Sequence, residues 1–123
     1  MVKQAIPLLH VSSSISAEDF YCQQLGFRKV FANRGDTTDP CYMGIIRDKA
    51  FIHLSSFSGD GVAGNVVNLW VDNIDELHNE LVTKGVKIDL EPTNQTWGTR
   101  EMYVRDADSN CVRFHQDVNS EVI

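Results

Sequence analysis

A chain of 123 residues, 42 % apolar and 23 % charged, has the size and composition of one compact domain or of two half-modules too small to stand alone. Its net charge of −6 leaves no basic stripe to neutralise phosphate, which argues against nucleic acid and anionic membrane as partners, and no apolar run approaches the ~20 residues that span a bilayer. Three widely spaced cysteines, Cys22, Cys41 and Cys111, form no CxxC and read as reduced thiols of a cytoplasmic protein, while the apolar stretch 5–9 is too short for a secretory signal.

In chain order, the pattern predicts a strand over 6–11, broken by three serines, and then a helix capped by Ser16 and running to Leu25. A strand over 27–32, a loop over 33–40 and a hairpin of 42–46 with 50–57 follow. The flexible stretch 58–64 links this half to a second one. There a strand over 65–71 leads to a helix capped by Asp72 or Asn73, with Ile74, Leu77, Leu81 and Val82 on one face at the 3.6-residue period. Strands over 86–90, 100–105 and 111–116 complete the second half, with a loop over 92–98 and turn chemistry over 106–110; the tail 117–123 is expected to fray.

The chain is thus written twice. Gly26 and Gly85 each end a helix 59 positions apart, where only glycine takes the left-handed cap without a Cβ penalty. The expected architecture is α+β: paired βαβββ half-modules, about 4–58 and 64–116 of a single domain 1–123. They form a curved, mostly antiparallel half-barrel sheet with helices on its outer face. Such repeats leave a concave face where small molecules bind.

Alternation within the strands sharpens this expectation, because successive side chains point to opposite faces. One parity is apolar throughout, as in Leu9, Val11, Ile52, Leu54, Val67, Leu69, Val112 and Phe114. The other mixes His10, Phe51, His53, Asn68, Trp70, Cys111, Arg113 and His115 with hydrocarbon, as expected for the lining of a wet pocket. An ordinary outer sheet face is the competing reading.

Two stretches resemble a known family. Residues 20–27, FYCQQLGF, are similar to the FY-x3-LGF helix end of the vicinal oxygen chelate superfamily, and WGTREMYVRD at 97–106 followed by Asn110-Cys111-Val112 is similar to its WG-x-RE…RDPDGN signature. Asp108-Ser109-Asn110 departs from it in lacking the turn glycine. Enzymes of that superfamily hold a divalent metal, and the resemblance puts the ligand positions at or near Ile6, His53, Val66 and Arg113. Only His53 is a donor, so the chain is read as having no metal, no cofactor and no catalytic residues. His10 or His115 could contribute only by a register slip.

The sequence is most similar to the bleomycin-resistance type, a metal-free branch whose homodimers bind drugs in grooves lined by aromatic and acidic groups. The resemblance implies ligand contacts at Trp97, Tyr42 and Glu101, the last within an Arg100-Glu101 pair. Asn68 and Arg113 replace the tryptophan and histidine of that branch, and His10 and His53 join from the mixed face. Trp97 could equally plug a sheet end or a dimer contact, and Trp70 reads as core or interface. The expected function is sequestration of a cationic or aromatic antibiotic-like ligand at a homodimer groove. The alternative is a metal-dependent glyoxalase, lyase, isomerase or dioxygenase built around His53.

Overall fold

A computed structural model describes residues 1–118. The described chain folds as two compact units, residues 1–65 with 106–110, and residues 66–105 with 111–118. Each carries one four-stranded mixed sheet, and each follows the order βαβββ expected from the repeat.

In the first unit, β1 (Leu8–His10), β2 (Arg28–Arg34), β3 (Cys41–Arg47) and β4 (Ala50–Ser55) form a sheet of order β1-β4-β3-β2. The β1·β4 pair is parallel and the other two are antiparallel. The apolar parity is the core: Leu9, Val11, Met43, Ile45, Ile52 and Leu54 are buried with Leu25 and Phe27. Strand β2 extends past its expected end, so Asn33 and Arg34 lie in the sheet and not in the following loop.

The first helix closes at Leu25 as expected but starts earlier and changes character along its length. Helix α1 (Ser14–Glu18) is capped by Ser13, not Ser16: the Ser13 hydroxyl accepts the Ser16 amide at 3.2 Å. Asp39 Oδ1 accepts the Ser14 amide at 3.1 Å, so a distant carboxylate satisfies another orphan N–H and starts the helix early. The helix then widens into a π-helical segment, Asp19–Gln24, in which the Leu25 amide reaches back to the Phe20 carbonyl.

In the second unit, β5 (Val66–Trp70), β6 (Leu90–Asn94), β7 (Thr99–Arg105) and β8 (Cys111–Asp117) form a sheet of order β5-β8-β7-β6, in which the β5·β8 pair is parallel and the other two are antiparallel. Helix α2 (Ile74–Thr83) is capped by Asn73 and buries Ile74, Leu77 and Leu81, whereas Val82 is exposed. The strand expected over 86–90 begins only at Leu90. Val86 is buried because it closes the helix: its amide donates to Leu81 O and that of Gly85 to Val82 O, both at 3.0 Å, with Gly85 at φ +80°. Strand β6 instead runs through Pro92, which an edge strand tolerates because one side of its backbone has no partner. Asp117 ends β8 and does not fray; the rest of the expected tail, 119–123, lies outside the described residues.

The turn 106–110 belongs to the first unit. Asp106 Oδ1 accepts the amides of Asp108 and Asn110 at 2.9 Å, and its Oδ2 accepts the Tyr21 hydroxyl at 2.8 Å. Asn110, fully buried, donates to the His10 carbonyl at 2.7 Å and accepts the Asn65 amide at 3.0 Å. Ser109 takes φ 63° where the resemblance expects glycine.

Candidate functional site

The mixed parity of the second unit builds two adjacent rows across β5, β8 and β7. Asn68 lies opposite Arg113 and Arg113 opposite Tyr103; two residues further on, Trp70 lies opposite His115 and His115 opposite Glu101. Because alternate residues share a face, both rows project from the same side of the sheet.

Glu101 anchors the second row. Only 2 % exposed, its Oε2 accepts Trp97 Nε1–H at 2.9 Å and the Thr99 hydroxyl at 2.5 Å, with His115 Nδ1 at 3.3 Å. The Tyr103 hydroxyl donates to Oε1 at 2.5 Å. Burial alone would raise the pKa of this carboxyl, but the bonds from Thr99, Tyr103 and Trp97 and the neighbouring His115 outweigh it and hold the group down at about 2. Glu101 is therefore an ionised carboxylate whose lone pairs are committed to internal donors. The same bond pushes the Tyr103 phenol up.

Two indoles flank this anchor. Trp97 is 66 % exposed despite its bond to Glu101. Trp70 is 59 % exposed and so not a core residue of the chain. It stacks on His115 with centroids 4.5 Å apart and planes 11° apart, and its Nε1–H donates to Asp117 Oδ1 at 3.3 Å. In the first row the Arg113 guanidinium sits 4.7 Å above the centre of the Tyr103 ring. Cys111, two residues before Arg113 on β8 and of the same parity, is fully buried and packs as a small hydrophobe.

The first unit carries a different cluster. Tyr42 Oη lies 2.7 Å from His53 Nδ1. Phe31 stacks on Tyr42 at 6.3 Å, and Phe31 and Phe51 meet His53 edge-on at 5.4 and 5.2 Å. Gly44 permits this: a Cβ there would lie 2.4 Å from the Phe31 ring. Burial lowers the His53 pKa, which favours the neutral imidazole. His10 stands apart from the cluster, its Nδ1 3.2 Å from the Asp60 carbonyl oxygen in the linker.

The residues expected from sequence thus fall into pairs: Tyr42 with His53, Trp97 with Glu101, and Asn68 with Arg113. Sequence reasoning missed Phe31, Thr99 and Tyr103 as members of these clusters. The resemblance pointed to Glu101 alone; the alternation along β7, applied from it, selects Thr99 and Tyr103 as well.

Of the four positions that the resemblance implies for a divalent metal, Ile6 and Val66 offer hydrocarbon and Arg113 a cation. Only His53 is a donor, and its Nδ1 is already bonded to Tyr42. Among the described residues no three His, Cys, Asp or Glu side chains converge to hold a metal ion. The residues present do not fit such a group. No helix among the described residues is long and apolar enough to cross a membrane.

Comparison with known proteins agrees with this architecture. A bleomycin resistance protein from Geobacillus stearothermophilus is 28 % identical over 139 aligned positions, covering 95 % of this chain and 98 % of the relative. The crystal structure of a bleomycin-binding protein complexed with bleomycin superposes with a TM-score of 0.76 at 23 % identity, over 94 % of this chain and 99 % of that one. A glyoxalase-related enzyme from Clostridium phytofermentans reaches 0.78 at 21 % identity, over 96 % and 97 % of the two chains. A family profile described as "Glyoxalase superfamily protein" matches residues 1–121. The chain belongs to the glyoxalase superfamily.

Proposed function

We propose that this protein binds and sequesters a small cationic or aromatic, antibiotic-like molecule, without transforming it, at a groove of a homodimer. The observation that carries the reading is that Trp97 and Trp70 are each tied through Nε1–H to a carboxylate, yet each leaves more than half its surface exposed. A fixed, solvent-facing indole is an already ordered stacking surface, so a guest does not have to immobilise it on binding. A ring whose N–H faces an anion is also well suited to a cationic partner, which such a contact holds by ~0.5–2 kcal/mol.

The other site residues fit a binder better than an enzyme. Glu101 is saturated by internal donors and would have to lose them to act as a base. A single imidazole at the metal positions cannot supply the three ligands that metal-assisted turnover requires. The relative named as a bleomycin resistance protein supports a drug of that kind as the first ligand to try.

The test is titration calorimetry of metal-stripped protein with metal-free bleomycin, beside the Trp97→Ala and Trp70→Ala variants. Saturable binding weakened by both substitutions supports the reading. Stoichiometric Ni, Mn, Fe or Zn surviving dialysis, with no drug binding by the metal-free protein, overturns it in favour of a metal-dependent enzyme. Light scattering behind size exclusion tests the homodimer.

A further inference from the structure

The tryptophan face accounts for a ring and a positive charge on the ligand, but not for Arg113. Its Nε is buried and has no hydrogen-bond partner among the described residues. No carboxylate among them lies within ion-pair distance. Glu101, which pairs with His115 in the next row, takes Trp97 and Thr99 on Oε2 and Tyr103 on Oε1 and makes no ion pair with the guanidinium. The Tyr103 ring beneath Arg113 fixes where the fork sits and supplies no acceptor atom. A cation placed in this way retains strong demand for an oxyanion.

Its register partner adds to that demand. Asn68 Oδ1 is 2.8 Å from His115 Nε2, so the amide oxygen is engaged, while Asn68 itself is exposed and pairs in register with Arg113. Guanidinium and amide NH2 both donate, on adjacent strands and one face, in a chain whose overall charge would otherwise repel anions.

We infer that Arg113 and Asn68 form an oxyanion subsite, so that the ligand carries a carboxylate or equivalent anion about 7 Å from the ring that stacks on Trp70, the rise of two strand residues. The inference rests on the ligand-binding reading and narrows it: the guest is a zwitterion or aromatic acid and not a simple cation.

The experiment is calorimetry on the full chain, in buffer free of phosphate and sulfate, with three probes of one shape: 2-naphthoate, 2-naphthamide and 2-naphthylmethylammonium. Naphthoate is expected to bind about tenfold or more tighter than the amide, the effect of one charge-assisted fork. Arg113→Gln should erase that preference while sparing amide binding, and Arg113→Lys should keep part of it, since lysine retains charge but not the fork. Asn68→Asp, at an exposed position, is the second variant should Arg113→Gln fail to fold; it should weaken naphthoate alone. Equal affinities for acid and amide, or a preference that survives Arg113→Gln or Asn68→Asp, overturn the subsite. Binding of the ammonium probe alone also overturns it while leaving the ligand-binding reading intact. Binding of none of the three overturns both.

Discussion

The indole N–H of Trp97 donates to Glu101 Oε2 at 2.9 Å while about two thirds of the ring stays in solvent. A core contact of that length usually goes with a buried ring. Here the buried partner is the carboxylate, and the aromatic is held outward by it.

Trp97→Ala should therefore separate binding from stability. Little apolar burial is lost, so the thermal midpoint is expected to move by no more than a few degrees. Affinity for a cationic aromatic probe should fall about 3- to 30-fold, the range of one cation–π contact. Trp97→Phe keeps a ring but loses its tether and should fall between the two. Calorimetry and thermal melts on the same preparations decide it.

Glu101 should dominate the acid limb of the stability profile. Its folded-state pKa of about 2 lies below the ordinary 4.5, so the ionised, hydrogen-bonded carboxylate stabilises the fold fully above about pH 4.5, and that contribution drains away as pH falls from there toward 2. Glu101→Gln should flatten the profile in this window. Glu101→Ala, which strands the donors of Thr99, Tyr103 and Trp97, should cost about 2–4 kcal/mol at pH 7 by denaturant unfolding.

His53 predicts a loss of the same sign in a higher pH window. Burial lowers its folded-state pKa below 6.5, so between 6.5 and that lower value the unfolded chain takes up a proton that the folded one does not. Stability is expected to drop as pH falls through this range, and His53→Gln should remove that part of the dependence. An imidazole proton resonance titrating at or above 6.5 in the folded protein would refute the point.

Gly44→Ala should disturb the aromatic cluster. The new Cβ would sit 2.4 Å from Phe31, forcing its ring off Tyr42 at a cost of about 1–3 kcal/mol. The near-ultraviolet circular dichroism should lose amplitude with it. Adding Phe31→Leu should recover part of the stability, since the clash needs both groups.

The repeat, the apolar parity and both helix-ending glycines were legible in the sequence because each rests on local chemistry. The strand offset between halves is sixty, as from Val11 to Val71 or Ser13 to Asn73, but the glycine offset is 59. The π-helical segment absorbs the extra residue of the first helix, a detail no periodicity of 3.6 reveals. Val86 read as strand because a buried apolar residue after glycine looks alike in a strand and in a helix-closing contact. The early start of α1 depends on Asp39, 25 residues away, and local signals do not carry such a partner. At the candidate site, alternation selected the face, while the saturation of Glu101 and the lack of a counter-charge for Arg113 emerged only from pairing across strands.

The five residues 106–110 are encoded late but complete the unit formed early, through Tyr21, the His10 carbonyl and the Asn65 amide. Proteolysis within the glycine-rich linker would therefore not yield an autonomous N-terminal fragment: that piece would leave behind the acceptor of its buried phenol. Synthesis on the ribosome has the same consequence, since the first sheet waits for its last staple until residues 106–110 have emerged.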